Sequence, residues 1–291
     1  MPLPGEHNFT PDFTLTPSNL HDYHTHGYIL LRNFLAPSEV DNTLRVFTET
    51  DVIERFGYGI PDASGRMPRM VLWNTPGDDV TGMICRCEKV VSTAEQLLGG
   101  EVYHYHSKMV MKEPLIGGKQ EWHQDYGYWY NNGLLTPDAL SVFIPLDTCT
   151  RENGCLQVIA GSHKCGKIEH GLVAGQTGAN LERVEEIQGD KTGRFRHLFV
   201  EMSPGDALFF HSNVLHMSEP NDSEKIRRAL ILAYNRRDNS AGRKEVTGHH
   251  PMYSPIERVP DSAILGCDNF SDFTGKDFLL PANDKTVTAA K

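Results

Sequence analysis

The chain lacks several features that would place it in a specialised class of protein. No apolar run approaches the roughly 18–20 residues of a membrane-spanning helix. Lysine and arginine number 28 against 38 aspartates and glutamates, and this net charge of -10 argues against nucleic-acid binding, which favours a basic face. The first residues contain no basic segment followed by an apolar core, so we expect no secretory signal. We therefore expect a cytoplasmic protein with neither nucleic-acid nor membrane partners.

Cysteine is also scarce, with six residues in the chain. Cys85 and Cys87 are separated by one residue, which is closer than the spacing of a zinc knuckle, and no second pair complements them. The sequence therefore predicts reduced thiols, in agreement with a cytoplasmic location. The six are Cys85, Cys87, Cys149, Cys155, Cys165 and Cys267.

The first hundred residues carry the signals of helices. Thr16 or Ser18 can cap one helix and Ser38 can cap a second, because their hydroxyls accept hydrogen bonds from free backbone N–H groups. A third apolar periodic segment ends at Gly99 and Gly100, which is typical of a helix C-terminus. These signals predict helices within 15–27, 36–56 and 83–100, a buried strand at 28–35, and a long surface excursion at 57–82.

After residue 100, short strand-like runs alternate with turn residues. LSVFIPLD, CLQVIAGS, DALFFHS and RALILAYNRR are examples. Many short strands with polar connections predict an antiparallel sandwich or barrel rather than βαβ units. We therefore expect a mainly β (α+β) protein in which N-terminal helices support a double sheet. We predict a single domain with an arm (1–16), a helical support (17–100), a β core (101–237) with a polar insertion (166–200), and a C-terminal extension (238–291).

The stretch EWHQDYGYW places His123 and Asp125 two residues apart. On a strand both would face the same side, either as two ligands of one metal ion or as a hydrogen-bonded pair. Downstream, DALFFHSNVLHMS contains His211 and His216. Either histidine would complete the set of two imidazoles and one carboxylate that non-haem Fe(II) oxygenases use, which leaves coordination positions open.

An arginine pair follows in KIRRALILAY. A guanidinium binds a carboxylate through two hydrogen bonds and stays charged at every accessible pH, as the distal carboxylate of 2-oxoglutarate would require. Because successive strand residues face opposite sides, only one of Arg227 and Arg228 can point inward.

The ordered motifs WHQDYGYW, ENGCLQVIAGSHKCG, PGDALFFHSNVLHMSEPN and RRALILAY resemble the phytanoyl-CoA dioxygenase family of Fe(II)/2-oxoglutarate-dependent oxygenases, over about residues 20–237. The resemblance implies a double-stranded β-helix (jelly-roll, cupin-like) core with iron at its open end. It implies His123, Asp125 and His216 as metal ligands, with His216 preferred over His211. It further implies that Arg227 binds the co-substrate 2-oxoglutarate and that O₂ is the second co-substrate.

Other site residues follow from the same resemblance. Gln124 would offer its amide to the co-substrate, Ser218 would support the ligand of Arg227, and Phe143 would lie beside the co-substrate. Lys108 and Lys112 either are solvated or contact the co-substrate or an anionic substrate. We expect the substrate pocket to be lined by Tyr126, Tyr128, Trp129, Tyr130 and His106, although His104 and His106 could instead form a second metal pair.

The function expected from these residues is hydroxylation of an unactivated C–H bond of a small metabolite, with release of succinate and CO₂. Asp125 favours this outcome, since halogenating relatives lack the carboxylate. Two alternatives remain open at this point. One is a zinc-dependent hydrolase that uses the same three ligands, and the other is a cupin-like binding protein without turnover.

Overall fold

The computed structural model describes residues 2–10, 13–173, 176–240 and 251–280. Its helices are α1 (Pro17–His26), α2 (Pro37–Thr48), α3 (Val52–Phe56), α4 (Val80–Arg86), α5 (Glu88–Leu98), α6 (Asp125–Trp129), α7 (Leu181–Gln188) and α8 (Ala263–Gly266). Its strands are β1 (Glu6–Asn8), β2 (Tyr28–Arg32), β3 (Arg69–Trp73), β4 (Val102–Lys112), β5 (Gln120–His123), β6 (Ala139–Pro145), β7 (Leu156–Ala160), β8 (His170–Val173), β9 (Gln176–Ala179), β10 (Arg196–Val200), β11 (Ala207–His211), β12 (His216–Ser218), β13 (Arg227–Arg236) and β14 (Phe278–Leu279). Within these ranges no helix has the length and apolar character needed to span a membrane.

Two antiparallel sheets form the core. The larger sheet has the strand order β1-β2-β11-β6-β13-β4-β3-β14, and only its edge pair β1 and β2 is parallel. The smaller sheet has the order β10-β7-β12-β5, and β8 pairs with β9 as a separate hairpin. The two sheets make the double-stranded β-helix, and the predicted mainly β, jelly-roll class is confirmed.

The apolar runs of the central strands reflect burial on both faces. Ile29 on β2 and Phe209 on β11 pack into the cluster beneath the helices, whereas Leu30 and Leu208 pack into the cluster between the sheets. A strand covered on both faces gains from an apolar residue at every position, so it shows no polar alternation. This explains why YILL and ALFF are continuous in the sequence.

The helix boundaries partly follow the predicted caps. At α1, Thr16 accepts a hydrogen bond from the backbone N–H of Asn19, as expected for an N-cap. At α2, however, the predicted cap Ser38 is wrong. The helix begins after Ala36, which has no side chain that can cap, and the N–H of Ala36 instead donates to the Glu39 carboxylate at 2.7 Å.

The predicted helix at 83–100 is two helices. Cys87 adopts an extended backbone conformation (φ −68°, ψ 150°) and separates α4 from α5. The break lets the backbone on either side of Cys87 pair with Val259 in the C-terminal part of the chain, since the N–H of Glu88 donates to the Val259 carbonyl and the Val259 N–H donates to the Arg86 carbonyl. The pattern of apolar residues continues across the break, which is why periodicity alone does not reveal it.

Two segments expected outside the core contribute strands to it. The predicted surface excursion 57–82 contains β3, which pairs with β4 along Arg69–Trp73, so that prediction is wrong. The C-terminal extension contains β14, which pairs with β3. The insertion 166–200 folds as β8, β9, α7 and β10, and β10 joins the smaller sheet. Residues 241–250 and 281–291 of the predicted extension lie outside the described residues.

Candidate metal and co-substrate site

Three candidate ligands converge between the two sheets. Asp125 Oδ1 lies 3.9 Å from His123 Nε2 and 3.8 Å from His216 Nε2. The ligand atoms of all three residues lie within 4.8 Å of one another, and all three side chains are buried. Two metal–ligand bonds of about 2.1 Å that meet at one ion can span up to roughly 4.2 Å. Both distances from Asp125 fall within this span, and the three residues form a group that could hold one metal ion.

The histidines are oriented by the backbone. The Nδ1–H of His123 donates to the carbonyl oxygen of Glu121 at 2.7 Å, and that of His216 donates to Val214 at 3.0 Å. A carbonyl accepts but cannot donate, so the proton resides on Nδ1 and Nε2 keeps its lone pair for a metal. Burial lowers the pKa of both imidazoles, which favours their neutral, ligating form.

Asp125 does not lie on the strand with His123, as the sequence spacing suggested. His123 is the last residue of β5, whereas Asp125 is the first residue of α6. Its second oxygen, Oδ2, accepts a 2.6 Å hydrogen bond from the hydroxyl of Ser141 on β6. Ser141 thus fixes the carboxylate so that Oδ1 faces the two imidazoles. No motif in the sequence marks Ser141, which lies in an apolar strand.

Arg227 points into the same cavity. It is 2% exposed, and its Nε and Nη1 atoms have no hydrogen-bond partner among the described residues. Burial lowers the pKa of this guanidinium, and Cys149, Cys155 and the Asp147 carboxylate, which Arg228 already binds, offset this effect only in part. Arg228 faces the opposite side and binds Asp147 through two hydrogen bonds of 2.8 and 2.9 Å. A buried arginine without an anion fits a carboxylate ligand.

Lys112 and Ser218 lie beside Arg227. Lys112 is paired in register with Arg227 across β4 and β13, and its ammonium group donates to Ser218 Oγ at 2.8 Å. Phe143 lies beneath the guanidinium, with its ring centre 5.6 Å from the guanidinium carbon. The structure thus brings the predicted residues Arg227, Ser218 and Phe143 together. It adds Lys112, whose role the sequence left undecided.

Gln124 does not line the cavity, contrary to the prediction. Its amide oxygen accepts from the N–H of Ile168, and its amide nitrogen donates to the carbonyl oxygens of Gly166 and Asn213. All of these partners are backbone groups, and the side chain is fully buried. Gln124 therefore anchors the insertion next to the ligands and has no free group for the co-substrate.

The predicted aromatic wall is formed only in part. Tyr128 and Trp129 line the cavity. Tyr126 instead packs in a neighbouring core cluster and donates its hydroxyl to the carbonyl of Leu135, while Tyr130 is 46% exposed. The difference arises because these residues lie on or just after the short helix α6, where consecutive side chains point in different directions, rather than on a strand.

His104 and His106 do not share a face. The register between β4 and β13 shifts at Tyr105. His104 pairs with Tyr234 and His106 pairs with Ala233, so β4 has one extra residue, Tyr105, between the two pairs. This bulge turns His104 toward the helices, where its ring nitrogens contact Asn74 and Ser107. His106 lines the cavity. The alternative of a second metal pair is therefore wrong for the described structure.

His211 lies outside the group of ligands. Its ring packs against His163 at a centroid distance of 5.3 Å, and its Nδ1 accepts from the backbone N–H of Asn213. Among the described residues, the cluster formed by His123, Asp125 and His216 is the one group of three or more such side chains that could hold a metal ion.

The cavity that contains these residues encloses about 170 Å³. Arg227 lies in its wall together with the three candidate ligands, so a metal-bound ligand can reach the guanidinium within one space. Residues from the segment predicted to be a surface excursion close one side of it. They are Tyr58, Ile60, Pro68, Met70 and Leu72.

Comparison with known proteins agrees with this geometry. A family model described as phytanoyl-CoA dioxygenase (PhyH) matches residues 23–229. The L-proline trans-4-hydroxylase of Streptomyces griseoviridis is 36% identical over 197 residues, which are 64% of this chain and 71% of that protein. The methylphosphonate hydroxylase of Gimesia maris is 29% identical over 231 residues, 76% of this chain and 81% of that protein.

A solved structure shares the fold. The crystal structure of EctD from S. alaskensis with 2-oxoglutarate and 5-hydroxyectoine has a TM-score of 0.68 and 21% identity, and the match covers 88% of this chain and 93% of that one. The family model spans most of the chain, and the proline hydroxylase exceeds 30% identity over most of its own length. The chain therefore belongs to the phytanoyl-CoA dioxygenase (PhyH) family of Fe(II)/2-oxoglutarate-dependent oxygenases.

Proposed function

We propose that this protein is a hydroxylase that uses Fe(II), 2-oxoglutarate and O₂ to oxidise an unactivated C–H bond of a small metabolite, with release of succinate and CO₂. One observation carries the proposal. Three buried ligands that leave coordination positions free lie in the same cavity as a buried arginine without an anionic partner among the described residues.

The metal would be held by His123, Asp125 and His216. When bound, Fe(II) supplies the activation of O₂ that oxidises the substrate. The protein keeps both imidazoles neutral through burial, and backbone carbonyls at Nδ1 orient them. The Ser141 hydroxyl holds Oδ2 of Asp125, so one carboxylate oxygen remains for the metal and the other is already engaged.

The co-substrate would extend from the metal toward Arg227. The guanidinium would bind the distal carboxylate of 2-oxoglutarate through two parallel hydrogen bonds from adjacent N–H groups, and its Nε and Nη1 atoms have no competing partner among the described residues. Ser218 would donate a third, since its hydroxyl can rotate while Oγ continues to accept from Lys112. Phe143 would exclude water from this end of the cavity.

The substrate would occupy the part of the cavity lined by His106, Tyr128 and Trp129. Because a relative 36% identical is named L-proline trans-4-hydroxylase, we propose L-proline as the first compound to test. The name of a second relative, methylphosphonate hydroxylase, makes methylphosphonate the next.

The two alternatives are less well supported. A zinc-dependent hydrolase would use the same three ligands but would leave Arg227 buried without a role. A binding protein without turnover would not need a carboxylate held by a dedicated hydroxyl, as Asp125 is held by Ser141. Under either alternative the protein would not convert 2-oxoglutarate to succinate.

The test is succinate release from 2-oxoglutarate by the protein reconstituted with Fe(II) in air, with and without L-proline, ectoine or methylphosphonate. We expect slow succinate formation alone and a marked stimulation by a substrate. Asp125→Ala should abolish both rates, whereas His211→Gln, which changes a histidine outside the ligand group, should retain them. Zinc-supported hydrolysis without O₂, and no succinate with Fe(II), would establish the hydrolase instead.

A further inference from the structure

Lys108 is a charged residue of the cavity that the proposed function does not yet use. On β4, the alternate residues His106, Lys108, Val110 and Lys112 all line the cavity. The register partners of Lys108 are Leu72 on β3 and Ile231 on β13, and both also line the cavity. The lysine therefore stands between two apolar neighbours, half-buried, in the middle of the wall.

The ammonium group of Lys108 has no partner within residues 2–10, 13–173, 176–240 and 251–280. No hydrogen bond or ion pair involves it there, in contrast to Lys112, whose ammonium group contacts Ser218 and Glu219. Lys108 lines the same cavity as the candidate ligands His123 and His216. The cavity therefore presents a cation that has no anionic partner among the described residues and can bind an anionic ligand.

Spacing along the strand separates this cation from the co-substrate end. Lys108 and Lys112 are four residues apart on β4, which corresponds to roughly 13 Å along an extended strand. Arg227 pairs directly with Lys112. The backbone positions of Lys108 and Arg227 are therefore well separated along the cavity wall, so the two cations can serve two different carboxylates.

The balance of charges in the cavity also favours a second anion beside Lys108. If Fe(II) and 2-oxoglutarate were bound, Asp125 would hold the metal, the metal and Arg227 would take up the carboxylates of the co-substrate, and Lys108 would remain without a counter-charge. The cavity continues past Lys108 in the direction away from Lys112. His106, the next inward residue of β4, lines this part together with Trp129, and the two rings lie 5.5 Å apart. A small molecule in that space would place an anionic group against the ammonium.

We propose that Lys108 binds the carboxylate of the primary substrate, so that the substrates of this enzyme are small carboxylic acids rather than neutral molecules. This assignment rests on the proposed function and replaces the expectation that Lys108 contacts the co-substrate. The carboxylate would fix the molecule between Lys108 and the aromatic residues, and thereby determine which carbon faces the metal.

The test compares matched ligands on the protein loaded with Fe(II) and 2-oxoglutarate without O₂. Isothermal titration calorimetry with L-proline and L-prolinamide, and with propionate and propionamide, measures the preference for a carboxylate over its amide. We expect the carboxylate of at least one pair to bind roughly tenfold or more tightly. Lys108→Met should remove this preference, and Lys108→Arg should retain it. Lys191→Met, at an exposed position, is the control for loss of one positive charge.

Two further measurements separate the possible failures. The dissociation constant of 2-oxoglutarate should change by less than about twofold in Lys108→Met. A substitution outside the binding site typically has an effect below about 0.5 kcal/mol, which corresponds to roughly that fold-change. Equal binding of acid and amide, binding of neither, or an unchanged preference in Lys108→Met would overturn the assignment, as would a loss of 2-oxoglutarate binding. Succinate release without substrate, measured on the same preparations, tests the oxygenase itself. Its absence from the unaltered protein would contradict the proposed function and not the role of Lys108.

Discussion

The hydroxyl of Ser141 donates a 2.6 Å hydrogen bond to Oδ2 of Asp125, and both side chains are buried. This contact joins β6 of the larger sheet to the first residue of α6, the helix that follows strand β5 of the smaller sheet. It places the carboxylate before any metal arrives, because a carboxylate held at one oxygen loses less freedom when the other oxygen binds an ion.

Ser141→Ala should therefore weaken metal binding while leaving the three ligands in place. Loss of a hydrogen bond to a ligating carboxylate typically lowers metal affinity by roughly 10- to 100-fold. Anaerobic Fe(II) titration in the presence of a competing chelator measures the effect. Ser212→Ala is the matched control, since its buried hydroxyl donates to the carbonyl of Pro137, away from the ligands. Equal affinities of the two variants would show that Ser141 does not position Asp125.

Arg227→Gln should raise the dissociation constant of 2-oxoglutarate by roughly 30-fold or more, because truncation of one partner of a buried ion pair costs about 2 kcal/mol or more. Metal affinity measured without 2-oxoglutarate should change little. Arg228→Gln is the control on the opposite face of β13, where the arginine binds Asp147 in a half-buried ion pair. If Arg228→Gln weakens 2-oxoglutarate binding and Arg227→Gln does not, the assignment of the inward arginine is wrong.

Two half-buried histidines away from the metal, His211 and His163, should make the protein sensitive to acid. Burial lowers the pKa of His211 to about 3 and that of His163 to about 4. The folded state thus keeps them neutral at pH 5, whereas the unfolded chain protonates each near its ordinary pKa of about 6.5. Stability is therefore highest above about pH 6.5 and is lost as pH falls toward the folded-state values.

Urea unfolding at pH 7.5, 6 and 5 measures this loss. The free energy of unfolding of His211→Gln should fall less steeply with acidification than that of the unaltered protein, by up to roughly 1.4 kcal/mol per pH unit below pH 6.5. His21→Gln, at an exposed position of α1, should keep the original slope. Identical slopes for all three proteins would mean that His211 accepts its proton without cost in the fold.

A buried ion pair should stabilise the attachment of the C-terminal part. Lys276 Nζ lies 2.8 Å from Asp79 Oδ2 and 3.9 Å from the centre of the Trp73 ring, and both charged side chains are almost inaccessible. Lys276→Met or Asp79→Asn should each cost roughly 3–5 kcal/mol of unfolding free energy, because each leaves one charge buried alone. The double variant should lose clearly less than the sum. Additive losses in urea unfolding would show that the two residues do not interact.

The fold class was predictable because its signals are local. Alternating turn residues and short apolar runs after residue 100 indicate antiparallel strands without reference to their partners. β3 was not predictable in the same way. Its sequence RMVLW is short and surrounded by Gly, Pro and Asp, and it becomes a strand through pairing with β4, which lies about 40 residues later along the chain.

The candidate site shows the same division between local and distant information. His123, Asp125 and His216 belong to motifs that the sequence displays, and the structure brings them together. Ser141 and Lys112 carry no motif, so only the approach of separate strands reveals their contacts with Asp125 and Ser218. The bulge opposite Tyr105 likewise depends on the register of two strands, and it reverses the face that alternation assigns to His104.

The most direct test of the central claim is an anaerobic titration of Fe(II) and 2-oxoglutarate into the protein, followed through the weak visible charge-transfer band of the complex. The account predicts a band that saturates at one Fe(II) and one 2-oxoglutarate per chain, and that disappears in Asp125→Ala and His216→Ala but persists in His211→Gln. A flat spectrum from the folded, unaltered protein, or a band that survives in His216→Ala and is lost in His211→Gln, would contradict it.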